Sequence, residues 1–226
     1  MEYEMQYMLK KTLIVFSILF IFNSMACAET YEEGKHYKRV DQPRTIDSDK
    51  IEVLEFFWYG CPHCYAFEPY ISKWNQSKPE NVEFVRVPAT FQSLWVLHAR
   101  AYYALQMLGV GEKIHPKFFS EIHNKKNYMK TFDAITTFVQ EHGVDRKEFI
   151  DAMNSFTVET QVRKATKLVT DYKLTGVPAV AVNGKYLISA SMAGSFDNMI
   201  KIMNYLIKKE TAEASRDKPR AAEGKS

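Results

Sequence analysis

The sequence predicts an α/β domain interrupted by an all-helical insertion, and three observations predict it. A β-rich apolar run, Ile51 to Trp58, leads directly into a helical segment and then a second short β-run, Val82 to Val87. Residues 92–173 lose strand character and carry apolar side chains at three- and four-residue spacing. Strand character returns at Ala179 with an Asn-Gly turn and a closing amphipathic helix.

Each element has a local cause. Ile51 to Trp58 has the apolar character of a central strand covered on both faces, and Gly60 breaks it. Cys61-Pro62-His63-Cys64 opens a helix bearing Tyr65, Phe67, Tyr70, Ile71 and Trp74; Pro62 suits the first turn, where its missing N–H has no intrahelical partner. Val82 to Val87 completes a strand–helix–strand unit with a parallel neighbour. In the insertion, Leu94, Leu97, Ala101, Leu105 and Leu108 form one stripe, and Phe132, Ile135 and Val139 another before Gly143, a C-terminal cap. Asp145 and Glu148 resemble a capping box for a helix carrying Phe149, Met153 and Phe156. Val158, Val162, Ala165, Val169 and Tyr172 make the strictest stripe of all, on a helix beginning near Thr157. Ala179 to Val182 and Lys185 to Ser189 flank Asn183-Gly184, a hairpin signal because both turn residues tolerate positive φ. Phe196, Met199, Ile200, Met203 and Leu206 mark the last helix, and residues 211–226 are polar enough to read as a solvated, disordered tail.

Composition bounds the function classes. Of 226 residues, 46% are hydrophobic and 25% charged, which excludes wholesale disorder, a collagen-like fibre and a multi-span membrane protein. The net charge of +3 is spread without a basic block and gives no argument for nucleic acid.

The N-terminus reads as an address. Lys10-Lys11 precedes an apolar run from Thr12 to Phe22, shorter than the roughly 20 residues of a membrane span. Ala26-Cys27-Ala28 offers small residues at a cleavage site, so residues 1–28 are expected to be a signal peptide. Ser24 stands where lipoprotein signals usually carry Leu, which argues against acylation of Cys27. Removal of the leader takes Cys27 and leaves Cys61 and Cys64. A bridge closing so small a loop staples little of a fold, so its value is redox rather than structural.

A cysteine at a helix N-terminus faces unpaired N–H groups and the positive end of the helix dipole, and both favour thiolate. Cys61 is therefore the candidate exchanging cysteine and Cys64, one turn inward and more buried, the resolving one. His63 adds a donor or a positive charge beside the first sulfur. Structural zinc needs about four ligands; no further cysteine remains, and His36, His98, His115, His123 and His142 lack ligand spacing. Strands, Cys-x-x-Cys helix, hairpin and closing helix together give a thioredoxin-like layout with a helical insertion. The expected boundaries are 29–91 and 174–210 for the thioredoxin-like parts, 92–173 for the insertion and 211–226 for the tail.

Leu54-Glu55-Phe56-Phe57, Cys61-Pro62-His63-Cys64-Tyr65, Gly176-Val177-Pro178 and Val182-Asn183-Gly184-Lys185-Tyr186 together resemble the DsbA family of periplasmic thiol:disulfide oxidases. The resemblance implies that Pro178 is cis and lies beside the disulfide, that Val177 offers backbone to an extended substrate peptide, and that Glu55 is a buried acid under the active-site helix. Arg86 stands where relatives usually carry Lys, so no paired-charge role is expected of it, and Glu68 reads as a solvated helix charge.

The resulting expectation is a monomeric oxidase in the periplasm of a Gram-negative bacterium, with no cofactor beyond the Cys61–Cys64 disulfide. It donates that disulfide to reduced cysteines of newly exported, unfolded or folding proteins, and a DsbB-like inner-membrane protein reoxidises it. The short mature N-terminus leaves no room for a dimerisation domain, which ranks oxidase above isomerase. A reductase or isomerase of the same fold, or a peptide-binding chaperone with an incidental disulfide, are the alternatives.

Overall fold

The structure is a computed structural model and describes residues 30–217; the expected leader and its cleavage site lie outside the described residues. In chain order the elements are β1 (Lys38–Arg39), β2 (Ile51–Phe57), α1 (Pro62–Ser77), β3 (Val82–Pro88), α2 (Ser93–Met107), α3 (Gly111–His123), α4 (Phe132–Glu141), α5 (Arg146–Met153), α6 (Phe156–Asp171), β4 (Ala179–Val182), β5 (Tyr186–Ser189), α7 (Ala190–Ala193) and α8 (Phe196–Asp217).

The strands form one sheet in the order β1-β5-β4-β2-β3. Parallel pairing of β2 with β3 sets Glu55 opposite Arg86, while β4 runs antiparallel to β2 and β5. Asn183 and Gly184 close the β4–β5 hairpin at φ of 50° and 68°, values that Asn and Gly tolerate better than other residues.

Five helices, α2 to α6, lie between β3 and β4. Side chains cap three of them: Thr131 accepts from the Ala134 N–H, Asp145 from Glu148 and Ser155 from Val158. Such caps are each worth about 1 kcal/mol. The α6 stripe is buried as its spacing predicts and serves two clusters. Val158 and Val162 join the core of the insertion, while Ala165, Val169 and Tyr172 pack with Leu54, Phe56 and Val87 of the sheet.

Three sequence expectations need correction. On α2 the buried face holds His98, Ala99, Ala101, Tyr102, Ala104 and Leu105, while Leu94, Leu97 and Leu108 are half-buried. This helix packs against α3, α5 and α6 and against β3 of the sheet at once, so its small residues and aromatics, and not only its leucines, face inward. Phe156 begins α6 instead of ending α5, and at 84% exposure it belongs to neither core. Residues 211–217, expected as disordered tail, continue α8. There Lys185 pairs with Glu210 and Glu213, Asn81 donates to the Thr211 hydroxyl, and that hydroxyl donates to the Ile207 carbonyl. Extending an already packed helix avoids the nucleation cost, so polarity does not end it.

Candidate active site

The redox pair sits where β2 hands over to α1. Trp58, Tyr59 and Gly60 form the turn, closed by the Cys61 N–H donating to the Trp58 carbonyl at 2.9 Å. Gly60 is required by contact: a Cβ there would meet the Trp58 indole at 2.3 Å. Cys61 is the N-cap residue of α1, with extended backbone (φ −85°, ψ 117°) and its Sγ accepting from the Cys64 N–H at 3.4 Å. Cys64 faces inward with Phe67, Ile71 and Trp74.

Both cysteines are free thiols here, yet they differ electrically. The Cys64 thiol, as hydrogen-bond partner, is the largest influence holding Cys61 down to about 6, against burial; the backbone N–H groups of Cys64 and His63 and the charge of His63 add to it. Burial pushes Cys64 well above the ordinary thiol value, reinforced by the hydrogen bond and charge of Cys61 and by the nearby Glu55. One sulfur is arranged to carry charge and the other a proton.

Val177 and Pro178, joined by a cis peptide bond, lie beside the first sulfur: the Cys61 thiol donates to the Val177 carbonyl at 3.4 Å. His63, Tyr70, Gly176, Val177, Pro178 and Phe196 are among the residues lining a groove of about 740 Å³. His63 is exposed on its wall. The structure thus sets Cys61 beside Val177 and Pro178, with Pro62 and His63 exposed at the start of α1 and Cys64 buried behind that opening.

Glu55 lies apart from that opening, 1% exposed on β2. Its carboxylate accepts from Arg86 Nε at 3.1 Å. Burial raises it to about 8, Arg86 opposing and Glu68 assisting. Arg86 therefore does carry a paired-charge role, contrary to the sequence expectation. Its Nη2 also donates to Glu68 at 2.8 Å and to Ser72 at 3.0 Å, a geometry that a guanidinium spans and an ammonium does not. Glu68 is likewise no solvated charge, its side chain being 13% exposed. Burial pushes it upward, but the hydrogen bond from His115, then the charge of Arg86 and the hydrogen bond from Ser72, outweigh this and hold it below the usual carboxylate range.

Sequence reasoning also passed over three histidines of the insertion. Trp58 Nε1–H donates to His98 Nδ1 at 3.1 Å, and His98 Nε2–H donates to the Met129 carbonyl at 3.0 Å. Burial lowers His98 to about 4, in keeping with an imidazole whose Nδ1 must accept. His115 lies between Tyr59 and Glu68, and His123 Nε2–H donates to the Tyr59 carbonyl at 2.8 Å. The ring of His123 also stacks on Tyr65 at 4.8 Å. Ligand spacing was the wrong signal to seek; histidines on the inward stripes of α2 and α3 were the available one.

An N-cap cysteine held acidic, an inner partner held basic and a cis-proline beside the first sulfur are the parts of a disulfide-exchange site. Comparison with known proteins agrees. Residues 85–201 match the family model of the DSBA-like thioredoxin domain. The thiol:disulfide interchange protein DsbA of Pseudomonas aeruginosa is 40% identical over 197 residues, covering 87% of this chain and 93% of that protein. This chain belongs to the DsbA family. The DsbA of Burkholderia cepacia is 41% identical over 177 residues, 77% of this chain and 84% of that protein. The crystal structure of Pseudomonas aeruginosa DsbA superposes with a TM-score of 0.79 at 41% identity, covering 82% of this chain and 97% of that one. The fold is therefore the DsbA one, a thioredoxin-like domain with inserted helices, and the chain is a thiol:disulfide oxidoreductase.

Proposed function

We propose that this chain is a periplasmic dithiol oxidase with Cys61 as exchanging and Cys64 as resolving cysteine. A substrate thiolate attacks the Cys61 sulfur of the disulfide, and Cys64 leaves and takes up a proton. A second substrate thiolate then attacks the substrate sulfur of the mixed disulfide, and Cys61 leaves as thiolate. The substrate loses two electrons and gains a disulfide; the enzyme is left as the dithiol. The electrical asymmetry of the two sulfurs carries this reading.

Val177 and Pro178 present backbone to an extended substrate chain, and the groove beside His63 receives its side chains, a mode that recognises unfolded proteins without demanding a sequence. A Proteus DsbA variant, 28% identical with a TM-score of 0.69, has been crystallised with the peptide PWATCDS bound non-covalently. Pro62 starts the helix that Cys61 caps, His63 tunes the Cys61 thiolate, and Glu55 tunes Cys64. The leader pattern at residues 1–28 supports export. A DsbB-like membrane protein returns the dithiol to the disulfide, which serves in place of any cofactor.

The test is the equilibrium of the protein with reduced and oxidised glutathione. With Cys61 at about 6, ionisation alone should favour the dithiol roughly tenfold at pH 7, equivalent to about 30 mV. Reduced glutathione should therefore convert the protein readily to its dithiol form. A disulfide that persists against excess reduced glutathione would overturn the oxidase direction in favour of a reductase.

A further inference from the structure

Of the three imidazoles that grip the turn before Cys61, His115 reaches furthest. Its Nδ1 lies 2.9 Å from the Tyr59 hydroxyl and its Nε2 lies 3.3 Å from Glu68 Oε2. Glu68 holds Arg86, and Arg86 holds Glu55 beneath Cys64. One side chain of the inserted helices therefore bridges the turn that delivers Cys61 and the charged cluster under Cys64.

The surroundings define its state. His115 is 2% exposed, packed among the rings of Phe57, Tyr59, Tyr102 and Phe119. The charged groups facing it are Glu68, Arg86 and Glu112. A carboxylate only accepts, so Nε2 carries the hydrogen and Nδ1 is free to accept from the Tyr59 O–H. A second proton would replace that acceptor with a donor and leave the Tyr59 hydroxyl without its acceptor. Neutral His115 satisfies both neighbours at once.

We propose that His115 is a positioning residue for disulfide exchange, holding Tyr59 and Glu68 so that the turn presents Cys61 to the N–H groups of α1. The proposal rests on the reading of Cys61 as the exchanging thiolate. Tyr59 is two residues from Cys61, and the turn between them is closed by the bond from the Cys61 N–H to the Trp58 carbonyl. The Cys64 N–H already stands 3.4 Å from the sulfur, so a small displacement of Cys61 weakens that bond. Release of the turn also rehydrates the sulfur, which acts the other way and outranks the N–H bond taken alone, but the same displacement weakens the hydrogen bond from the Cys64 thiol, which is a larger influence than burial.

The test is the pH dependence of Cys61 alkylation by iodoacetamide in the reduced full chain, mapped by peptide mass, for wild type, His115→Leu and His115→Gln. H115L removes acceptor and donor together, and the Cys61 titration should move up by about half a unit or more, with the glutathione equilibrium shifting about threefold toward oxidised protein. H115Q keeps one acceptor and one donor and should restore most of the wild-type behaviour. A residue that only stabilises the fold would lower the unfolding midpoint and leave the titration in place. Folded H115L with a wild-type titration and equilibrium would overturn the proposal. If H115L does not fold, Tyr59→Phe, which deletes only the hydroxyl, should show the same upward shift, and an unchanged profile there overturns it equally. A wild-type Cys61 that itself titrates near the ordinary thiol value would instead refute the reading beneath it.

Discussion

Raising the pH should stabilise the dithiol form relative to the disulfide form, because only the dithiol has a Cys61 thiol to ionise. Cys61 titrates at about 6 in the folded protein against an ordinary 9.0. A depressed value gives stability that is full above the unfolded value and disappears as pH falls through the folded one. On those two values the thiolate contributes almost nothing at pH 5, about 1.4 kcal/mol at pH 7 and about 2.7 kcal/mol at pH 8. The sulfur lies 3.4 Å from the carbonyl of Val177, which lines an open groove, and solvent screening reduces the gain between pH 5 and 8 to roughly 2 kcal/mol. Closing the four-residue loop favours the disulfide form by about 2 kcal/mol at every pH. The disulfide form should therefore lead at pH 5, and the two should draw level near pH 8. Urea melts of both forms at pH 5, 6, 7 and 8 measure the difference; for a slope near 2 kcal/mol per M, the gap between midpoints moves by roughly 1 M. Cys61→Ser, melted beside them, should lack the pH-dependent gain of the dithiol. A gap that stays constant, or that widens in favour of the disulfide as pH rises, would show that Cys61 is not held as a thiolate.

Two further predictions concern the charges beneath the pair. Arg86→Ala leaves Glu55 and Glu68 buried without their shared guanidinium and should cost roughly 3 to 5 kcal/mol in urea unfolding. Arg86→Lys keeps the charge but cannot reach Glu55, Glu68 and Ser72 together, so an intermediate loss is expected; wild-type stability for either variant would refute the paired role. Glu55, raised to about 8, contributes stability that is full below its unfolded value and lost as pH climbs through 8. Glu55→Gln should therefore gain on the wild type between pH 5 and 9, and parallel pH profiles of unfolding would count against the buried-acid description.

The architecture was readable because its signals are local. Ile51 to Phe57, the Pro62 helix start, the Asn183-Gly184 hairpin and the α6 stripe each follow from residue type at short spacing. The two cysteines were readable as a site for the same reason, since N-cap position and a four-residue motif decide their chemistry. The charged cluster was not. Glu68 and Arg86 become partners only once β2 and β3 pair in register and α1 lies across them. A glutamate four residues after Cys64 reads as surface until something cationic is placed beneath it. The inserted histidines failed for a related reason: His98, His115 and His123 have no common spacing, and they share only a destination in Trp58 and Tyr59. The same limit hid the last turns of α8, whose polar residues stay helical through contacts to Asn81 and Lys185 far back in the chain.

The acidity of Cys61 serves its departure more than its attack. At pH 7 a thiol titrating at about 6 is roughly 90% thiolate, against about 1% for one at 9.0. Intrinsic nucleophilicity falls with basicity, however, and a Brønsted coefficient of about 0.45 over three units takes back roughly twentyfold. The net advantage in attack is then only about fourfold at neutral pH. As leaving group there is no such compensation, because the sulfur that expels a less basic thiolate always gains. In a mixed disulfide between substrate and Cys61, the second substrate thiol thus meets a bond already biased to break on the enzyme side, with the departing charge received by the N–H groups of Cys64 and His63. Cys64, held protonated by burial, is slow to compete for the same bond. The placing of one sulfur at the helix start and the other beneath it therefore favours handing the disulfide over to the substrate rather than taking it back.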